Sequence, residues 1–317
     1  MKFPVFDLHC DTALELLGRD GIRKGSLRSN NSHVDLVRAN QLAGYAQCFA
    51  CFTTDAFSFS DGVTPEDIFI GEYSTITEEV ASNPDLIKQA FSASDIEYNL
   101  RQGIMSAILT IEGTAGFGFD ASRLEELYNK GFRITTLGWN EKNILAGSHA
   151  TGGGLTQKGA EYVAEAQRLG MLIDVSHISD EAFWDIIKIT QGPVIASHSN
   201  SRTVWNVSRN ITDEMFLAIC RTGGVVGINL YSEFLGEHPD LDTVCAHILH
   251  FLSLDPSGKH IALGGDLDGC ESLPEGFCGV EDYAKLADAL LAKGLDENTV
   301  YDVFWNNALE VLKHCCM

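Results

Sequence analysis

The stretch VFDLHCDTALELL, residues 5–17, decides how the rest of the chain is read. Val5 and Phe6 begin an apolar strand, and Asp7, His9 and Asp11 follow at every second position. Side chains of a strand alternate between its two faces, so period two predicts all three polar groups on one face. Polar groups buried without partners are costly. The stretch therefore implies something that compensates them at the end of a buried strand.

Working outward, a strand signal followed by a helical signal recurs along the chain. Eight strand candidates are 3–11, 42–52, 103–113, 131–139, 170–177, 192–199, 223–231 and 260–268. Most are short runs rich in Val and Ile, the pattern of strands buried on both faces of a parallel sheet. Between them, 179–192 begins at the candidate N-cap Ser179 and stops at Gly192-Pro193, and 212–224 runs from Thr212 to Gly223. In 296–314, Val300, Val303, Phe304, Ala308, Val311 and Leu312 have helical spacing and predict a buried stripe. Eight strands alternating with helices predict an α/β fold, a (β/α)8 TIM barrel of the metal-dependent hydrolase type, occupying 1–317 as one catalytic domain. The alternative, a doubly wound sheet binding a dinucleotide, lacks a G-x-G-x-x-G loop after the first strand.

Composition excludes other classes. The 317 residues carry 44 acidic against 22 basic side chains, a net charge of −22. No basic patch is available for nucleic acid or an anionic membrane. No apolar run approaches membrane-spanning length, and the N-terminus starts directly with a strand. Nine irregularly spaced cysteines read as reduced thiols of a cytoplasmic protein. Cys48 and Cys51 form a C-x-x-C inside an apolar run and read as core.

In a barrel of this kind the C-terminal strand ends face the active site. Strand one brings His9 and Asp11 there, strand three Glu112, strand five His177, strand six His198, and strand eight Asp266 and Asp268. One such residue at a strand end is commonly a cap or a hydrogen-bonded core group. Five strands converging on one mouth point to a metal site. Imidazole and carboxylate suit zinc and its neighbours. Two metals need a bridging carboxylate, for which Glu112 is placed. His9 and Asp11 can share one metal, and His177 and His198 the other. Asp266 is then free to act as general base. Asp7 needs a separate partner, expected to be a hydrogen bond, with a ligand histidine the candidate. His247 and His250 read as helix residues, His33, His238 and His314 as surface, and His149 as a loop residue of open role.

These residues resemble the renal (membrane) dipeptidase family of zinc peptidases. The D-x-H-x-D-T start, the Glu of TIEG, LIDVSH, PVIASHS with SRN beyond, and GGDLDG occur in order over nearly the whole chain. The resemblance implies two zinc ions per chain, with His9, Asp11 and Glu112 on one and Glu112, His177 and His198 on the other. It implies hydrolysis of a dipeptide through a metal-bridging hydroxide, with Asp266 transferring the proton and a possible homodimer. It also implies that Arg209 binds the substrate carboxylate, for which a guanidinium is well suited. One departure concerns strand four, where TLGWN places Trp139 at the position of a family His that contacts the reacting carbonyl. Trp139, Asn140, Asn143 or zinc alone must then supply that contact. Trp139, Asn143 and Tyr231 are the candidate substrate contacts besides Arg209. A second departure is Trp305, where the family tends to have Gly.

Competing readings are another amidohydrolase-type barrel (a deaminase, or a cyclic-amide or ester hydrolase) and a barrel that binds metal without catalysis. The first commonly uses a carboxylated lysine as bridge, and strand four ends without Lys. Retention of Asp266 beside a full ligand set speaks against the second.

Overall fold

A computed structural model describes residues 3–56 and 59–316, except the side chain of Cys316. The Cys316 thiol expected from the sequence lies outside the described residues. Eight parallel strands form the barrel: β1 Val5–Cys10, β2 Tyr45–Phe52, β3 Met105–Glu112, β4 Phe132–Thr136, β5 Leu172–Asp174, β6 Val194–Ile195, β7 Val226–Ile228 and β8 Ile261–Leu263. They pair in sequence order, and β8 pairs with β1. The ring closes between β6 and β7, where Ala196 N–H donates to Val225 O and Gly227 N–H to Ala196 O. A short outer strand, Ile87–Gln89, pairs with β3. Among the described residues no helix is long and apolar enough to cross a membrane.

Two layers of apolar side chains follow from the alternation. Phe6, Leu8, Ala46, Cys48, Ile108, Ile134, Leu172, Ile195, Val225 and Ala262 belong to one buried cluster to which every strand or its lead-in contributes, which makes it the barrel interior. Val5, Phe49, Leu109, Phe132, Ile173 and their like pack outward against the helices. Trp305 joins the interior cluster, its ring 5.7 Å from Phe6, and seals the end opposite the mouth.

Interior placement of Phe6 and Leu8 overturns the one-face reading of Asp7, His9 and Asp11. Asp7 lies opposite Gln47 and Cys10 opposite Phe49, so β1 holds one residue more than β2 over this interval. This β-bulge turns the strand by one position. Asp7 points outward to the helix Tyr283–Ala292, and His9 is aimed into the mouth. Asp7 Oδ1 accepts from the backbone N–H of His9 (3.0 Å) and of Gly265 (2.9 Å), while the Tyr283 hydroxyl donates to Oδ2. The expected partner was a ligand histidine, and the bond goes to that residue's backbone, not its ring. Burial raises the Asp7 pKa, and these three donors oppose the rise.

Strands β4 to β8 are shorter than their sequence patterns. Regular pairing ends at Asp174 in β5 and Leu263 in β8, before the chain reaches His177 and Asp266. Both of these residues have positive φ, 68° and 58°. The polypeptide leaves sheet geometry to present them. Ser179 and Thr212 cap their helices as expected, accepting from Ala182 and Met215 N–H. The expected helix over 296–314 is interrupted. Glu297–Tyr301 passes through a wide turn at 302–306 into Asn307–Leu312, with the whole apolar stripe buried. The Asn307 amide donates to Gly258 O and Ile261 O, both at 2.7 Å, and ties this segment to the foot of β8.

Replacing Tyr283 by Phe removes one donor from a fully buried carboxylate. The expected loss is about 1–3 kcal/mol of stability, read as a lower midpoint in urea unfolding. An unshifted midpoint would show that the Tyr283 bond contributes nothing to holding the bulge.

Candidate metal centre

Glu112 ends β3 at the centre of the mouth, and its two oxygens face different histidines. Oε2 lies 3.2 Å from His9 Nε2, whereas Oε1 lies 3.0 Å from His177 Nε2 and 3.7 Å from His198 Nε2. Asp11 Oδ2 is 3.3 Å and Asp266 Oδ1 3.8 Å from His9 Nε2. The His9 and His198 rings stack with centroids 3.8 Å apart. The structure thus gathers six of the seven residues named at strand ends, all but Asp268, into one cluster, with all six buried.

Hydrogen bonds on the far side of each imidazole set its orientation. His177 Nδ1–H donates to Asn140 Oδ1 at 2.8 Å. His198 Nδ1–H donates to Ser197 Oγ at 2.7 Å, and that hydroxyl donates to Asp174. Asp174 also accepts from the N–H of Ser176 and Ser197, both at 2.9 Å. With Nδ1 protonated, both Nε2 lone pairs point inward, 2.9 Å apart. Two lone pairs facing one another repel unless a cation lies between them.

The charge balance agrees. Burial, assisted by Arg209 and other histidines, holds the His177 and His198 pKa values well below the ordinary range, so both are neutral. Burial alone would lower that of His9, but the Glu112 and Asp11 carboxylates outweigh it and raise it. Burial lifts Glu112 to about 8 and Asp266 to about 6, with Asp11 adding to both. Asp11 occupies the cap position of the helix Thr12–Leu17 yet caps nothing, and its buried Oδ1 has no hydrogen-bond partner. A carboxylate oxygen aimed at no donor, beside facing imidazole lone pairs, fits a divalent metal. The geometric groupings His9–Glu112–His198 and His9–Asp11–Asp266 each fall within ligand distance.

Above the cluster lies a cavity of 430 Å³, within the range of small-molecule sites. Phe52, Trp139 and Leu14 form an apolar wall, and Tyr231, Phe234 and Glu271 stand on the other side. Trp139 packs edge-on to Phe52 at 5.2 Å. One expectation needs correction. Asn143 does not line the cavity: its amide donates to Leu137 O and its oxygen accepts from Leu145 and Ala146 N–H, holding its own loop. Arg209 is buried beside Phe234, its guanidinium 5.6 Å from that ring, and donates to Ser199 Oγ and His198 O. Its Nε–H has no hydrogen-bond partner. Asp268 is engaged by Thr12 Oγ1 and the His33 backbone, so His33 is a partner of the site's edge and not plain surface.

The family model for membrane dipeptidase, peptidase family M19, matches residues 1–316. The chain belongs to that family. It is 31% identical to an uncharacterised dipeptidase of Schizosaccharomyces pombe over 77% of this chain, and the match spans 64% of the yeast protein's length. It is 32% identical to an uncharacterised Klebsiella pneumoniae protein encoded in the pqqA 5′ region, over 79% of this chain and 97% of the other. A Rhodobacter sphaeroides metallopeptidase, crystallised with a phosphinate mimic of the dipeptide L-Ala-D-Ala, superposes with a TM-score of 0.87 at 25% identity, covering 99% of both chains. Membership of a metallopeptidase family implies a metal cofactor, in accord with the donor set.

Sequence reasoning missed Asp174, Ser197 and Asn229, which orient the clustered side chains, and offered Asn140 for the carbonyl contact and not as the partner of His177. Asp174 carried a signal, since it lies three positions before His177 in the same strand. His149 was left open, and the structure gives it a place. Its Nε2–H donates to Asn140 Oδ1 at 2.8 Å, and its Nδ1 accepts from Ser208 Oγ at 3.0 Å. Burial and nearby arginines lower its pKa to about 4, so it is neutral.

Asn140 is therefore the shared acceptor that holds His177. Replacing it by Ala is expected to weaken metal binding roughly 10–100-fold in chelator competition. Affinity within twofold of the parent would show that His177 is oriented without it.

Proposed function

We propose that this chain is a dipeptidase whose mouth holds two zinc ions, His9, Asp11 and Glu112 on one and Glu112, His177 and His198 on the other. The observation that carries this reading is the division of the Glu112 carboxylate, one oxygen toward His9 and the other toward the His177–His198 pair. When bound, the ions supply hydroxide at neutral pH and polarise the scissile carbonyl.

The protein's own residues do the rest. Asp266 is held by Asn229 Nδ2–H on Oδ2 at 3.0 Å, leaving Oδ1 on the His9 side to take a proton. A carboxyl raised toward neutrality by burial can accept that proton and return it to the leaving amine. Arg209 supplies positive charge behind Phe234, and its unpartnered Nε–H supports the assignment of the substrate's carboxylate to that side. Trp139 and Phe52 flank the scissile bond as an apolar wall that excludes water, and Tyr231 stands opposite. The cavity volume suits a dipeptide. The phosphinate complex of the Rhodobacter sphaeroides relative makes L-D pairs as well as L-L pairs the first substrates to test. Cys10, Cys48, Cys51, Cys220, Cys245, Cys270 and Cys278 are free thiols, which supports a reducing compartment such as the cytoplasm.

Asp266→Asn is expected to lower kcat for dipeptide hydrolysis by about 10²–10⁴-fold while zinc content stays at two per chain. Undiminished hydrolysis would remove Asp266 from proton transfer, and active parent protein with well under two zinc ions would end the binuclear reading.

A further inference from the structure

At the end of the barrel away from the mouth, three metal-competent side chains converge from three elements. Cys220 lies in the last turn of the helix Asp213–Thr222, Asp255 follows the helix Leu241–Leu254, and His260 immediately precedes β8. One ligand atom from each falls within 4.8 Å of the others, and all three residues are half-buried. No part of the dipeptidase reading uses them.

The groups around them are already oriented. His260 Nδ1–H donates to Gly224 O at 2.7 Å, which leaves Nε2 as the open lone pair. That lone pair faces Asp255 Oδ2 at 4.0 Å, too far for a hydrogen bond. Asp255 is itself held by Ser257, whose backbone N–H donates to Oδ1 at 3.1 Å and whose hydroxyl donates to Oδ2 at 2.8 Å. A backbone carbonyl on the far nitrogen of a histidine and a hydrogen-bonded carboxylate are the usual supports of metal ligands. Bond lengths of about 2.0–2.2 Å at a tetrahedral ion separate a nitrogen and an oxygen ligand by roughly 3.4 Å. The nitrogen–oxygen gap needs to close by about 0.6 Å, and the sulfur, within 4.8 Å of both, must draw in with it, a movement open to three side chains that are not fully buried.

We propose that Cys220, Asp255 and His260 form a second, separate site for a thiophilic divalent cation, with water as the fourth ligand. Thiolate, imidazole and carboxylate together select zinc or cobalt over magnesium or calcium. Binding replaces the Cys220 S–H bond by a sulfur–metal bond, and the proton leaves to solvent. Occupancy would cross-link two outer helices to the lead-in of β8. It does so beside the β6–β7 closure, since Val226 N–H donates to His260 O.

Cobalt distinguishes this site from the mouth, which contains no sulfur ligand. The test is a titration of zinc-loaded protein with Co²⁺, followed in the near ultraviolet for sulfur-to-cobalt charge transfer, alongside total metal per chain. The expected result is a charge-transfer band saturating at one added equivalent, three metals per chain, and loss of both band and third metal in Cys220→Ser and in His260→Gln. Dipeptide hydrolysis by either variant with two zinc ions should stay within twofold of the parent. Absence of the band, or a band that survives in Cys220→Ser, overturns the proposal. A missing mouth metal would instead lower activity and leave the band intact, so the two readings fail separately.

Discussion

Three hydrogen bonds to Asp7 hold one extra residue in β1, and the mouth depends on that residue. Without the bulge, strict alternation would send His9 outward with Asp7, since Phe6 and Leu8 already face the interior. The buried carboxylate accepts from two backbone N–H groups, one in β1 and one in the β8 exit, and from Tyr283 of the outer helix layer. It thereby fixes the relative height of the two strand ends that carry His9 and Asp266. The Asp266 backbone N–H donates to His9 O at 3.2 Å, so both residues share this one frame.

The other ligands are placed by a different device. Glu112 sits at the end of a long, regular strand and needs no special backbone. His177 and Asp266 are delivered by left-handed residues beyond short strands. Such conformations cost roughly 1–3 kcal/mol each in a residue with a side chain, and they persist where the surroundings over-determine them. Here the surroundings are the bonds to Asn140 and Asn229. The centre is therefore held by the Asn140 and Asn229 amides and the Ser197 hydroxyl, of which Asn140 also lines the cavity.

Much of this was legible in the sequence. The strand–helix alternation gave the barrel, and the polar residues at the strand ends gave the cluster, because both depend on periodicity and order along the chain. What was not legible is what depends on distance across the fold. The bulge is invisible to a period-two count of VFDLHCD, since its cause, Tyr283, lies 276 residues away. Asn143 reads like its neighbour Asn140, and only the loop's path decides that one braces the loop and the other His177. Arg209 was named only through the family resemblance, and its burial beside Phe234 depends on contacts that the local pattern around SRN does not encode. The break in the last helix has a similar cause: Asn307 binds two carbonyls at the foot of β8.

Trp305 has a consequence for traffic. Because its indole stoppers the barrel beneath Phe6 and the interior layer packs above it, no passage runs through the barrel axis among the described residues. A molecule bound at the floor cannot pass through, and whatever is made there must leave by the way its precursor came. Entry and exit then share the mouth that Trp139 and Tyr231 help to line. In such a mouth the fragment nearer the rim departs before the one beneath it, and a lingering fragment excludes the next arrival.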